Sequence, residues 1–165
     1  MSDRTYRVLF VCTDNAARSI MAEAILNQRG HGRFQAFSAG SHPAGLVHPS
    51  ALQQLQDARL PTEGLRSKSW DEFVQPGAPP LDFVFTLCEA AARDPHPAWP
   101  GKPLVAGWGV PDPVAVQGSD RIVARAFHDC FMALDWRIGL FICLPIAALD
   151  RLTLADRVAE IGEER

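Results

Sequence analysis

Cys12 and Arg18 bracket the five residues Thr13-Asp14-Asn15-Ala16-Ala17, and Ser19 follows the arginine. The segment joins the apolar run Val8-Leu9-Phe10-Val11 to a helix-like stretch from Ile20 to Arg29. A thiol and a guanidinium at such a strand-to-helix corner can carry out nucleophilic chemistry on a tetrahedral oxyanion. A tight loop entering a helix turns successive backbone N–H groups toward one point, and the helix N-terminus adds partial positive charge there. Thr13, Asp14, Asn15, Ala16 and Ala17 are thus the expected oxyanion cradle, closed by Arg18, whose planar fork holds two oxygens at once. The same field lowers the pKa of a thiol, so Cys12 is expected as a thiolate at neutral pH. Ser19 can donate its hydroxyl to that sulfur, and Asn15 tolerates left-handed backbone at the bend. The competing interpretation is a buried cysteine closing a strand, with Arg18 a solvated helix start. Asp14 places a carboxylate at the rim. At about 4 Å it would oppose a bound anion by about 1–4 kcal/mol per charge pair, depending on dielectric; the arrangement expected is outward, capping the helix.

Short apolar runs alternating with amphipathic ones must position these residues, and that alternation predicts an α/β fold. Strands are expected at about Arg7 to Val11, Arg33 to Ser38, Phe83 to Cys88 and Leu104 to Trp108, forming a four-stranded parallel sheet with helices on both faces. A first helix spans Ser19 to Arg29 and stops at Gly30; a second starts near Pro49 and presents Leu52 and Leu55 inward. Ser69 with Glu72 reads as a capping box for a short helix, and Thr153 with Asp156 as the cap of a last helix reaching Gly162. A long helix near Ser119 to Cys143 carries Val123, Phe127, Cys130 or Phe131, Leu134, Ile138 and Phe141 at three- and four-residue steps, a core-facing stripe. The proline-rich stretches Gln75 to Pro80 and Asp94 to Pro103 are loops.

Ligands of open parallel sheets sit beyond the carboxyl ends of the strands, and this layout puts Cys12, Cys88 and the loop after Trp108 at that edge. Asp112, stiffened between Pro111 and Pro113, suits a general acid there, although an aspartate beside prolines is also ordinary turn chemistry. Cys88 ends the third strand on the same edge, whereas Cys130 and Cys143 fall on the apolar helix face as inert packing residues.

At 165 residues the chain is expected to form a single three-layer domain spanning residues 1–165. Its net charge of −3 and the lack of a basic stripe exclude a nucleic-acid partner. The apolar stretch Ile138 to Leu149 is too short to span a bilayer and is broken by Gly139 and Pro145, so no membrane partner is expected. Met1-Ser2-Asp3-Arg4 begins no secretion signal, which predicts a cytoplasmic protein. Four cysteines without Cys-x-x-Cys spacing argue for thiol chemistry over a disulfide framework. His42, His48 and His96 with Cys88 match no compact metal-ligand pattern, and Arg66 and Lys68 read as solvated surface charges.

The corner from Cys12 to Ser19, Phe37-Ser38-Ala39-Gly40, Arg66-Ser67-Lys68-Ser69-Trp70, Thr86-Leu87-Cys88 and Pro111-Asp112-Pro113 occur in this order between Arg7 and about Gly162. In this the chain resembles the low-molecular-weight tyrosine phosphatase superfamily, and within it the arsenate reductases. The resemblance implies Cys12 attacking arsenate or phosphate held by the loop and Arg18, with Asp112 as the acid. It further implies Cys88 as the thiol that attacks the arsenic adduct, expels arsenite and leaves a disulfide. No bound cofactor is implied, only an external reductant: glutathione with glutaredoxin, or thioredoxin. Three positions depart from the family pattern. His96 stands where many such reductases have a further cysteine, Ala17 where some relatives place another thiol, and Asp14 where glycine is common. The first two favour reduction by an outside thiol. Phosphotyrosine hydrolysis through a phosphocysteine is the alternative, weakened by Val114-Ala115 where an aromatic residue usually follows the Asp-Pro pair. A non-catalytic oxyanion sensor is the third reading.

Overall fold

The computed structural model describes residues 4–163; residues 1–3, read above for a targeting signal, lie outside the described residues. Strands β1 (Tyr6–Cys12), β2 (Phe34–Gly40), β3 (Phe83–Thr86) and β4 (Leu104–Gly107) form one sheet in the order β2-β1-β3-β4. All its pairings are parallel. Helices α1 (Arg18–Arg29), α2 (Pro49–Asp57), α3 (Glu89–Arg93), α4 (Asp120–Ile142) and α5 (Arg151–Gly162) complete the layers, with 3-10 turns at Trp70–Val74, Pro113–Ala115 and Ile146–Ala148. The α/β architecture expected from the alternation is therefore the one observed.

Side chains of β1 alternate between two cores, as the pleat requires. Val8, Phe10 and Cys12 face the larger one, shared with Ile20, Met21 and Ile25 of α1 and Phe127, Leu134, Ile138 and Phe141 of α4. Leu9 and Val11 face a smaller one with Ala39, Trp70, Leu81, Val84 and Ala91. Both faces are covered, the second more thinly, by the Trp70–Val74 turn, the five-residue α3 and Trp99.

Several local expectations shift. β2 runs on to Gly40, and β3 stops at Thr86, because Cys88 leaves the ladder to become the N-cap of α3, a helix too short to show periodicity. Ala51 and Leu55 are the buried residues of α2, while Leu52 is half-buried. Ser69 accepts from the Asp71 amide, but Glu72 turns away to pair with Arg66, so the reciprocal half of the capping box is missing. The last helix is capped by Asp150, which accepts from Thr153 N at 2.8 Å; the carboxylate one turn earlier outcompetes the Thr153–Asp156 pair. The α4 stripe buries Phe127, Cys130, Phe131, Leu134, Ile138 and Phe141 as read, but Cys143 at the helix end is exposed.

The rigid centre is aromatic. Trp108 stacks on Phe85 with centroids 3.8 Å apart and planes 12° from parallel, and Phe141 meets both edge-on. The indole N–H, fully buried, donates to Val158 O at 2.9 Å, tying β4 to α5. Trp108→Ala empties this centre and removes the indole bond to the Val158 carbonyl. It should cost about 3–5 kcal/mol, read as a lowered urea midpoint in far-ultraviolet circular dichroism.

Candidate active site

Strand order β2-β1-β3 means that the chain leaves β1 to one side and returns to pair β3 on the other. The carboxyl ends of these two central strands are a topological switch point, where open α/β sheets bind ligands. Cys12 is the last residue of β1. Leu87 N donates to Val11 O across that edge, Val110 N donates to Leu87 O, and Arg18 Nη1 donates to Val110 O at 3.2 Å. The hydrogen bonds thus gather Cys12, Arg18, Cys88 and the 108–113 loop on one edge, as the sequence implied.

The cradle itself is shaped from outside. Ser41 N, His42 N, Ala44 N and His48 N donate to the carbonyls of Cys12, Thr13, Asp14 and Ala16, and the Ser67 hydroxyl adds a bond to Asp14 O. In a trans peptide the next N–H points opposite to the carbonyl. The amides of Thr13, Asp14, Asn15 and Ala17 are therefore turned away from the 41–48 segment, toward the interior of the loop. Close approach of the two segments depends on Gly40, where a Cβ would come within 2.5 Å of Thr13 O.

Asn15 makes the bend, with φ of 48° in the left-handed region that its short polar side chain tolerates. Fully buried, it accepts from Lys68 N at 2.9 Å and donates to Ser19 Oγ at 2.7 Å. Ser19 Oγ in turn lies 2.9 Å from Cys12 Sγ. Asn15 donates to one lone pair of that hydroxyl oxygen, which leaves the hydroxyl proton free to point at sulfur when the sulfur is ionised.

Two expectations fail here. Asp14 does not cap α1: its N-cap is Ala17, with no side-chain bond, and Asp14 sits half-exposed on the rim. The five-residue loop is too tight to swing a side chain back over the first helical turn. Cys12 is also not the low-pKa thiol expected. It is only 2% exposed, and burial pushes its thiol up. The Ser19 hydroxyl, the Ser19 and Asn15 amides and the Arg18 charge all pull the other way, but loss of water outweighs them.

Arg18 and Asp112 meet at the mouth. Asp112 Oδ2 lies 3.6 Å from Arg18 Nη2, while Oδ1 accepts from Val114 N at 3.0 Å and caps the Pro113–Ala115 turn. The turn chemistry expected of this aspartate is thus present in Oδ1, and Oδ2 faces the Arg18 guanidinium. Cys88 is half-buried; its sulfur lies 3.4 Å from Thr13 Oγ1 and accepts from Ala91 N at 3.4 Å. His96 lies in the segment after α3, bonded to Ala91 O at 2.8 Å and flanked by Trp70 and Trp99.

His48 caps α2 and His42 lies near Asp94; among the described residues no group of three or more His, Cys, Asp or Glu is placed to hold a metal. No helix among them is long and apolar enough to cross a membrane. Arg66 is exposed as expected, but Lys68 is not a surface charge: its side chain is buried against Glu23 and Ser38. Sequence reasoning missed this cluster because Glu23 lies in a helix and Lys68 in a loop 45 residues away, with no shared motif.

Residues 7–151 match the family described as low molecular weight phosphotyrosine protein phosphatase. The chain belongs to this family. Its relatives include an arsenate reductase of Halalkalibacterium halodurans, 32% identical over 134 residues that cover 81% of this chain and 93% of the relative. The glutaredoxin arsenate reductase of Synechocystis sp. is 30% identical over 107 residues, 65% of this chain and 78% of its own length. A solved arsenate reductase in the phosphate binding state superposes with a TM-score of 0.68 at 25% identity, covering 84% of this chain and 97% of that one.

Cys130, behind Asp112 and Arg18, is the packing thiol expected, and burial pushes it up to about 12. A raised thiol pKa means that the folded chain keeps a proton which the unfolded chain releases from about pH 9 upward. Its stabilising contribution is complete below about pH 9 and drains away toward about pH 12. Urea denaturation across this range should show the wild type losing stability more steeply than Cys130→Ala, despite the mutant's lower starting value.

Proposed function

We propose that this chain reduces arsenate to arsenite with Cys12 as nucleophile and Cys88 as resolving thiol. The observation that carries the reading is the second sulfur, 3.4 Å from the Thr13 hydroxyl at the cradle's edge. Ester hydrolysis through a cysteine has no use for it. The names of the relatives, arsenate reductases, support the same chemistry.

Arsenate enters the cradle of Thr13 to Ala17 amides, and Arg18 holds two of its oxygens. The buried Cys12 thiol gives its proton to the arriving dianion and attacks arsenic as thiolate. Asp112 protonates the departing oxygen, which leaves as water, and a sulfur–arsenic(V) bond remains. Cys88 then attacks Cys12 Sγ, its thiol proton passing to an oxygen on arsenic. The sulfur–sulfur bond forms, the sulfur–arsenic bond breaks with its electron pair staying on arsenic, and arsenic(III) departs as arsenite. Two thiols have been oxidised and arsenic has gained two electrons. With His96 in place of a further cysteine near Cys88, the disulfide is cleared from outside, by glutathione with glutaredoxin or by thioredoxin.

Arsenite formation should be measured with glutathione and glutaredoxin, then with thioredoxin, beside aryl phosphate hydrolysis by the same preparation. Cys88→Ser should lose arsenite release by at least about a hundredfold while Cys12 still alkylates normally. Undiminished turnover in that variant rejects the relay. Aryl phosphate turnover that exceeds arsenate turnover, and survives in Cys88→Ser, gives the chain to phosphatase chemistry on the same Cys12, Arg18 and Asp112.

A further inference from the structure

Outside the cradle, one buried charged cluster touches the chain of bonds that ends on Cys12. Lys68 Nζ donates to Arg66 O at 2.8 Å and to Ser38 Oγ at 3.4 Å, and lies 3.7 Å from Glu23 Oε1. The Ser38 hydroxyl donates to the same Glu23 oxygen at 2.5 Å. The Lys68 and Glu23 side chains are only 8% and 14% exposed, so the pair stands in a low-dielectric setting. Burial pushes the Glu23 carboxyl up and the Lys68 ammonium down, and each charge partly holds the other. Such a pair is rarely the most stable filling for its volume, since apolar side chains do as well or better. A positional role explains it more directly.

Asn15, Ser19 and Glu23 are spaced four apart, and the latter two share a face of α1. Lys68 touches this line twice. Its backbone N–H donates to Asn15 Oδ1 at one end, and its ammonium faces Glu23 at the other. Its carbonyl accepts from Gly40 N, which fixes the segment to the end of β2. We propose that Lys68 is a positioning residue for the Cys12 thiol, a two-point clamp that holds Asn15 and thereby aims the Ser19 hydroxyl at sulfur. The lysine acts through Asn15 and Ser19, not by its own charge on the sulfur, where Arg18 is the neighbouring cation. The charged groups around the clamp are Glu23 on α1 and Arg66 and Glu72 on its own segment.

This inference rests on Cys12 being the reacting thiol, and its test reads that thiol directly, so a failure of arsenate chemistry would leave it standing. Iodoacetamide labelling of the Cys12 peptide, followed by mass spectrometry from neutral to alkaline pH, gives the midpoint of ionisation. In Lys68→Met the midpoint should rise by about one unit and labelling at pH 7 should slow about tenfold. Glu23→Gln keeps an acceptor for Ser38 but removes the charge; it should shift the midpoint the same way by less, and it decides the matter if Lys68→Met does not fold. In a Ser19→Ala background, Lys68→Met should add no further shift, because the hydroxyl it aims is gone. An unmoved midpoint in a folded variant, even one with lowered melting temperature, would make the pair purely structural and overturn the proposal. So would a shift that persists undiminished without Ser19.

Discussion

The left-handed turn at Asn15 is the constraint on which the rest of this architecture depends. A strand that ends on a buried sulfur must become a helix within five residues, and the amides between must converge. One residue at φ 48° accomplishes the reversal. That conformation is costly for most side chains, and asparagine tolerates it because its amide finds partners nearby. Here both ends of the amide are engaged, by the Lys68 N–H and the Ser19 hydroxyl, inside a site with no exposure at Asn15. The strain is thereby fixed by the surrounding fold, and the segments that supply the partners, 38–48 and 66–69, are drawn in around the loop for the same reason.

Burial and reactivity pull in opposite directions at Cys12. Removing water from the sulfur raises the energy of its thiolate, yet water must be removed if the amides and Arg18 are to act strongly on an oxyanion. The protein answers with many small contributions rather than one large charge: a hydroxyl, two amides and a guanidinium all lower the sulfur's pKa and together still fall short of its desolvation. A dianionic substrate closes the gap, because it brings its own base.

How much of this was legible in the sequence depends on whether partners were close along the chain. The corner from Cys12 to Ser19, the parallel sheet, the α4 stripe and the convergence of Asp112 and Cys88 on one edge follow from short-range periodicity and from the geometry of β-to-α turns. The left-handed Asn15 and the Ser19–Cys12 bond were readable for the same reason. Asp14 misled because capping preference describes an ordinary helix start, whereas this one is entered through a loop whose Thr13, Asp14 and Ala16 carbonyls are claimed from outside. The Cys12 thiolate misled because local dipoles are visible in a sequence and desolvation is not. Lys68 was invisible as a buried group: only the fold brings it to Glu23 and Ser38.

The four cysteines show what position does to a single chemical group. Cys130 is sealed into the core behind Arg18 and Asp112 and protonated far into the alkaline range, and Cys143 lies open at a helix end. Cys12 is buried but surrounded by donors. Cys88 differs from all of these, because its sulfur is itself the cap of a five-residue helix. Attack on Cys12 would take that sulfur from the Ala91 amide and from the Thr13 hydroxyl, at a cost of about 1 kcal/mol for the lost cap. A helix of one turn and a half has almost no stability of its own to resist this. What holds α3 afterward is its far side, where His96 bonds the Ala91 carbonyl and packs between Trp70 and Trp99. The thin layer over this face of the sheet, which contributes least to the core, is thus the layer that can let the second thiol travel.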